Sequence, residues 1–264
     1  MNQIDQLFQN KTSDILSVYF TAGFPELNDT GLIIKGLEDA GTDLVEIGFP
    51  FSDPVADGPV IQASSHRALE NGMNLDILFE QLMKIRDTIR IPKILMGYFN
   101  TVYQYGVGNF IHRCKECHVS GVIIPDLPAE VYEAEYKSQF ESAGIHFICL
   151  VSPQTPPDRA AWLESISRGF IYRLSMSSTT GKHLGDDFLI PLKNDDESNN
   201  ISKNKLPTLI GFGIHDHRTF AMACKQSNGA IIGTEFIRRL TKDEGRQDFG
   251  DLCRSFINEI KGIA

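Results

Sequence analysis

The sequence predicts an α/β fold, a single (β/α)8 barrel of the TIM type spanning residues 1–264 as one domain, with an extra N-terminal helix. Eight short β-branched or aliphatic runs recur at even spacing, longer amphipathic segments separate them, and 264 residues is close to the length such barrels need. Strands that alternate with helices pair in parallel, and eight such units close into a barrel; an open doubly wound sheet is the alternative.

The strands are expected at Leu16 to Thr21, Leu44 to Gly48, Lys93 to Gly97, Gly121 to Pro125, His146 to Val151, Phe170 to Leu174, Thr208 to Gly211 and Ala230 to Gly233. Helical patterns lie between them. Asp29 to Ala40 leaves through Gly41, Leu75 to Ile89 enters through Asn74, and Phe110 to Cys117 follows Asn109. Ala129 to Ala143 runs from Pro128 to Gly144, Arg159 to Ile166 follows Asp158, and His215 to Gln226 contains Asp216 near its start. Asp243 to Ile260 places Phe249, Leu252, Phe256, Ile257 and Ile260 near helical spacing and predicts a closing helix. Lys193 to Lys205, "KNDDESNNISKNK", has almost no apolar residue where a sixth helix is expected, and reads as a loop or frayed helix, with a partner-docking tail as the alternative.

A net charge of −9 argues against a nucleic-acid partner, because phosphate neutralisation needs a basic excess. The first residues show no basic-then-apolar export pattern, and no long apolar run offers a membrane span, so a soluble cytoplasmic protein is expected. Five cysteines without an export signal read as free thiols. "CKECH", Cys114 to His118, matches the c-type haem attachment pentapeptide, but Phe110, Ile111, Cys114 and Cys117 also fall at helical spacing, which suits a barrel wall. "HDH", His215 to His217, lacks a matching acid or cysteine cluster and reads as a helix cap rather than a metal site; no metal is expected.

The chemistry concentrates in "VEIGFPFSDPVADGPVIQ", Val45 to Gln62, which holds three acids and no lysine or arginine. Alternation along Leu44 to Ile47 puts Glu46 inside the barrel top if Val45 and Ile47 meet the helices. Burial there raises its pKa towards the range of proton transfer; a structural Glu held by backbone hydrogen bonds is the alternative. Asp57 lies in "ADGP", where Gly58 permits a positive φ and Pro59 stiffens the exit, and ordinary turn capping is its alternative. "GFGI" after the seventh strand, "GTEF" after the eighth and "SSTTGK" after the sixth are weak singly, but together favour a phosphorylated small substrate.

"VEIGFPFSDPVADGP", "GYFNTVYQYG", "IIPDLP", "STTG", "GFGI" and "IIGT", in this order and spacing, closely resemble the tryptophan synthase α subunit family over nearly the whole chain. The resemblance implies a lyase of tryptophan biosynthesis that cleaves indole-3-glycerol phosphate to indole and glyceraldehyde 3-phosphate. It implies an α2β2 heterotetramer in which the β subunit receives the indole, and no cofactor in this chain, pyridoxal phosphate belonging to the β partner. It assigns catalysis to Glu46 and Asp57, substrate contact to Tyr19, Tyr98, Tyr172 and the lid residue Thr180, and phosphate binding to Gly181, Gly213, Gly233 and Thr234. Pro50 and Asp53 fall where the family faces its partner. The lid departs from the family's Ser-Arg-Ala-Gly-Val-Thr-Gly: here it is "SMSSTTG", with Met176 for the arginine and Ser178 for the glycine. A related isomerase barrel, a docking protein that only activates a β subunit, and a stand-alone lyase are the competing readings.

Overall fold

The computed structural model describes residues 1–175, 206–211, 213–242 and 248–263. The expectations on Met176, Ser178, Thr180, Gly181 and Lys193 to Lys205 lie outside the described residues. Among the described residues nine strands pair in parallel in the order β5-β4-β3-β2-β1-β9-β8-β7-β6. They are β1 (Ile15–Thr21), β2 (Leu44–Gly48), β3 (Lys93–Met96), β4 (Gly121–Ile123), β5 (His146–Phe147), β6 (Leu150–Val151), β7 (Ile171–Leu174), β8 (Thr208–Gly211) and β9 (Gly229–Ile232).

The single strand expected at His146 to Val151 is divided into β5 and β6. β5 pairs with β4 and β6 with β7, so this one stretch joins the two ends of the sheet and closes the barrel. The division has a local cause: the Cys149 N–H is taken by the Ser167 hydroxyl at 3.1 Å. Ladder bonds continue on either side, from Ile148 N–H to the Val122 carbonyl and from Tyr172 N–H to the Cys149 carbonyl, both 3.0 Å.

The helices are α1 (Gln3–Asn10), α2 (Thr30–Asp39), α3 (Pro59–Glu70), α4 (Leu75–Ile85), α5 (Phe99–Tyr105), α6 (Val107–Glu116), α7 (Ala129–Val131), α8 (Lys137–Ala143), α9 (Pro157–Ile166), α10 (His217–Cys224), α11 (Thr234–Lys242) and α12 (Phe249–Lys261). A π turn, Tyr132–Tyr136, interrupts what the pattern predicts as one helix from Ala129 to Ala143. The wider turn lets Tyr132 and Phe140, eight positions apart, both pack on Phe147, with ring centroids 3.7 and 6.0 Å away. The sequence pattern does not single out α3, α5 or α11. In α3 the buried face includes Ser64, Ser65 and Ala68, which weakens the apolar stripe.

Two apolar layers follow from strand alternation. Outward residues such as Val18, Val45, Ile47, Leu95 and Ile232 pack against the helices, while Ile15, Leu44, Ile94, Ile123, Ile148, Leu209 and Ile231 fill the barrel. Ile4, Leu7 and Phe8 of α1 join that interior, with the Phe8 ring 5.9 Å from Phe170. An isolated helix of this length is unstable in water, so packing holds it; full burial of Ile4 contributes roughly 1.5–3 kcal/mol. The Asn2 side chain caps the helix at Ile4 N–H and donates to the Ser120 carbonyl at 2.7 Å.

All five cysteines are free, and four are buried. Cys114 and Cys117 lie in the outer core, with the Cys117 thiol 3.4 Å from the Phe79 carbonyl, so the pentapeptide belongs to a packed wall, as its helical spacing predicts. At "HDH", Asp216 caps α10 in a reciprocal pair with Thr219. Among the described residues no helix is long and apolar enough to cross a membrane.

Candidate active site

Glu46 sits in β2 between Val45 and Ile47, which face the helix layer, and shares its inward face with Leu44. Its side chain is fully buried. The Ser17 hydroxyl of β1 donates to Oε1 at 2.7 Å, while Oε2 has no protein partner among the described residues. Burial pushes the carboxyl up to about 7, and the Ser17 bond pulls the other way. Among the described residues no backbone N–H bonds its carboxylate, so the backbone-held alternative finds no anchor there.

Asp57 lies in the β2–α3 connection, where its N–H bonds the Pro54 carbonyl at 3.0 Å. Gly58 is the cap residue of α3 with φ −79°, so the positive φ allowed for it is not used. Pro59 then opens the helix at its first position, where a missing N–H costs nothing. The Asp57 carboxylate does not cap this helix. Tyr98, just beyond β3, donates its hydroxyl to Asp57 Oδ2 at 3.1 Å and accepts the Ala56 N–H at 3.0 Å. Burial raises Asp57 to about 6, with the Tyr98 bond opposing.

Tyr19 of β1 and Tyr172 of β7 are both buried, and the charges of Glu46 and Asp57 act on both. Burial first and the two acids second push both phenols well up, so they stay neutral beside the carboxylates. Glycines at two strand ends make room for them. A Cβ on Gly48 would lie 2.2 Å from the Tyr19 hydroxyl, and one on Gly211 would lie 2.2 Å from that of Tyr172. The Phe51 ring stacks on Tyr98, with ring centroids 5.1 Å apart.

Gly213 follows β8 with φ +69°, a conformation that favours glycine. Gly233 follows β9, where a Cβ would come 3.1 Å from the Tyr19 ring, and Thr234 begins α11. These three residues therefore sit at the carboxyl ends of adjacent strands, beside a helix amino terminus. Pro50 is buried at the base of the loop after β2, whereas Asp53 is exposed and bonded to the Ser52 hydroxyl at 2.5 Å.

The family profile described as "Tryptophan synthase alpha chain" matches residues 6–259. The chain belongs to the tryptophan synthase alpha chain family. The tryptophan synthase alpha chain of Flavobacterium psychrophilum is 49% identical over 245 residues, covering 92% of this chain and 95% of that one. That of Flavobacterium johnsoniae is 47% identical, covering 99% and 100%. Among solved structures, the tryptophan synthase alpha chain of Legionella pneumophila superposes with a TM-score of 0.84 at 28% identity, over 100% of this chain and 97% of that one. A chain of the tryptophan synthase complex of Pyrococcus furiosus gives 0.80 at 27%, over 96% and 100%.

Among the candidate residues of this tryptophan synthase alpha chain family member, the structure brings Glu46, Asp57, Tyr19, Tyr98 and Tyr172 into one group. Ser17 is the member that the sequence reading passed over. Its signal was present: a lone hydroxyl in the otherwise apolar start of β1, in phase with Tyr19 on the inward face.

Proposed function

We propose that this chain, as one barrel domain, cleaves indole-3-glycerol phosphate to indole and glyceraldehyde 3-phosphate. What supports this most is a pair of carboxyls, Glu46 fully buried at about 7 and Asp57 half-buried at about 6, that lack a cationic partner among the described residues and share two neutral tyrosines. Such groups exchange protons near neutral pH, as a retro-aldol cleavage needs.

The protonated Glu46 delivers its proton to C3 of the indole ring, which leaves positive charge on the ring nitrogen. The Asp57 carboxylate accepts the ring N–H and stabilises that charge. The Glu46 carboxylate then takes the proton of the glycerol hydroxyl beside C3. The C3–C bond breaks, its electron pair returns to the ring, and indole and the aldehyde form with Glu46 protonated again. Tyr19, Tyr98 and Tyr172 wall the indole and keep water away. Gly213, Gly233 and Thr234 hold the phosphate with backbone N–H groups at the α11 terminus, with Gly181 and Thr180 as the family's further phosphate and lid positions.

The steps use acid–base chemistry alone, so no cofactor is assigned to this chain, and pyridoxal phosphate belongs to a β subunit. The loop after β2 is the face for that subunit in an α2β2 assembly: exposed Asp53 and Val55 would meet it, while buried Pro50 shapes the loop from beneath. A cytoplasmic location fits this assignment.

The test is indole formation from indole-3-glycerol phosphate by the purified chain, alone and with a tryptophan synthase β subunit. Slow cleavage that the partner accelerates supports the reading. Fast cleavage alone points to a stand-alone lyase, and no indole in either condition removes the assignment.

A further inference from the structure

We infer that Ser17 is the positioning residue for Glu46, holding the carboxyl by Oε1 in both protonation states so that Oε2 alone exchanges protons with substrate. The inference rests on the reading of Glu46 as proton shuttle. Register fixes the geometry: Tyr19 lies opposite Glu46, and Ser17 lies opposite Leu44, one inward layer closer to the amino end of the strands. Ser17 therefore reaches Glu46 from beneath, and its hydroxyl meets Oε1 at 2.7 Å.

Surrounding groups leave the task to this hydroxyl. Tyr19 from β1 and Tyr172 from β7 are the titratable groups on which the Glu46 charge acts, and Asp57 from the β2–α3 loop acts on the same two phenols. The neighbouring interior is otherwise apolar, with Ile94 and Met96 from β3 and Ile231 from β9. No cation among the described residues acts on the carboxyl.

A buried serine hydroxyl without a partner is destabilising, so its presence in this layer needs an acceptor. When the proton sits on Oε2, Oε1 is the carbonyl oxygen of the acid and still accepts from the Ser17 hydroxyl, so the anchor persists through the cycle without pinning the anion as an ammonium group would. With Oε1 tied and Oε2 buried without a partner among the described residues, only one oxygen faces exchange.

The test compares Ser17→Ala, Ser17→Cys, Ser17→Thr and Glu46→Gln. Turnover and KM are measured across pH, and the Glu46 carboxyl is followed by infrared difference spectroscopy, assigned by its loss in Glu46→Gln. Ser17→Ala is expected to raise the Glu46 midpoint by about one pH unit, because the donor to the anion is gone. Its kcat falls about ten-fold with KM nearly unchanged; Ser17→Cys, a weaker donor, falls between, and Ser17→Thr restores the midpoint. A wild-type midpoint in Ser17→Ala and Ser17→Cys, with Glu46→Gln inactive, overturns the inference while leaving the proposed function intact. Normal turnover in Glu46→Gln instead removes the shuttle and the inference with it.

Discussion

Tyr98 and Asp57 come from two different strand-end loops and meet through one hydroxyl, which donates to Asp57 Oδ2 at 3.1 Å while receiving the Ala56 N–H. The phenol therefore favours the charged form of Asp57 and braces its loop. In Tyr98→Phe that support is lost, and the Asp57 midpoint should rise above about 6. Activity that requires ionised Asp57 should then set in at higher pH, with kcat/KM near neutrality down about five- to ten-fold. A pH–rate profile whose acidic limb stays in place would contradict this account.

The basic limb belongs to Glu46, whose protonated form starts the reaction and is lost through about 7. Stability carries the same signature. The folded pKa lies above the ordinary 4.5, so the fold favours the neutral acid; that contribution is complete below 4.5 and is lost as pH rises through about 7. Glu46→Gln is neutral at every pH. It should match the wild type in acid, exceed it above neutrality by up to about 3 kcal/mol, and lose about two to four decades of turnover. Denaturant melts at acidic and alkaline pH read the first effect, and indole release the second.

Gly48 is fixed by contact with Tyr19 rather than by an unusual φ. A methyl group there would stand 2.2 Å from the phenol oxygen and 2.7 Å from its ring carbon, so the ring must move. Displacement of a substrate-lining group by about 1 Å can cost a hundred-fold in rate. Gly48→Ala is expected to lower kcat/KM by about ten- to a hundred-fold while the chain remains folded by circular dichroism. Unchanged kinetics would mean that Tyr19 does not shape the pocket.

Lys93 begins β3 and is fully buried, and its ammonium has no hydrogen-bond partner among the described residues. Burial lowers its pKa, against the weaker pull of Glu38, Cys117 and Asp87. A lowered folded pKa means that the unfolded chain binds the extra proton, so this residue costs stability at neutral pH and less as pH approaches the ordinary lysine range. Lys93→Met keeps the length and drops the charge. It should raise stability at neutral pH by about 1–3 kcal/mol, an advantage that shrinks in alkali, as thermal melts at two pH values would show.

The local pattern of the sequence carried the barrel and much of its site, because strand alternation is a property of neighbouring residues. Val45, Ile47, Leu44 and Glu46 divide between the two faces of β2 by period alone, and the family motifs name the acids, the tyrosines and the strand-end glycines. What depended on residues far apart in the chain was decided only by tertiary structure. Ser167 splits the fifth strand by taking the Cys149 N–H, and packing on Phe147 widens the helix at Tyr132 into a π turn. Sheet register brings Ser17 beneath Glu46, and the barrel's curvature delivers Tyr98 to Asp57 across a neighbouring loop. A one-dimensional pattern fixes which face a side chain takes, but which groups meet on that face, and hence where each carboxyl titrates, depends on burial and register between strands.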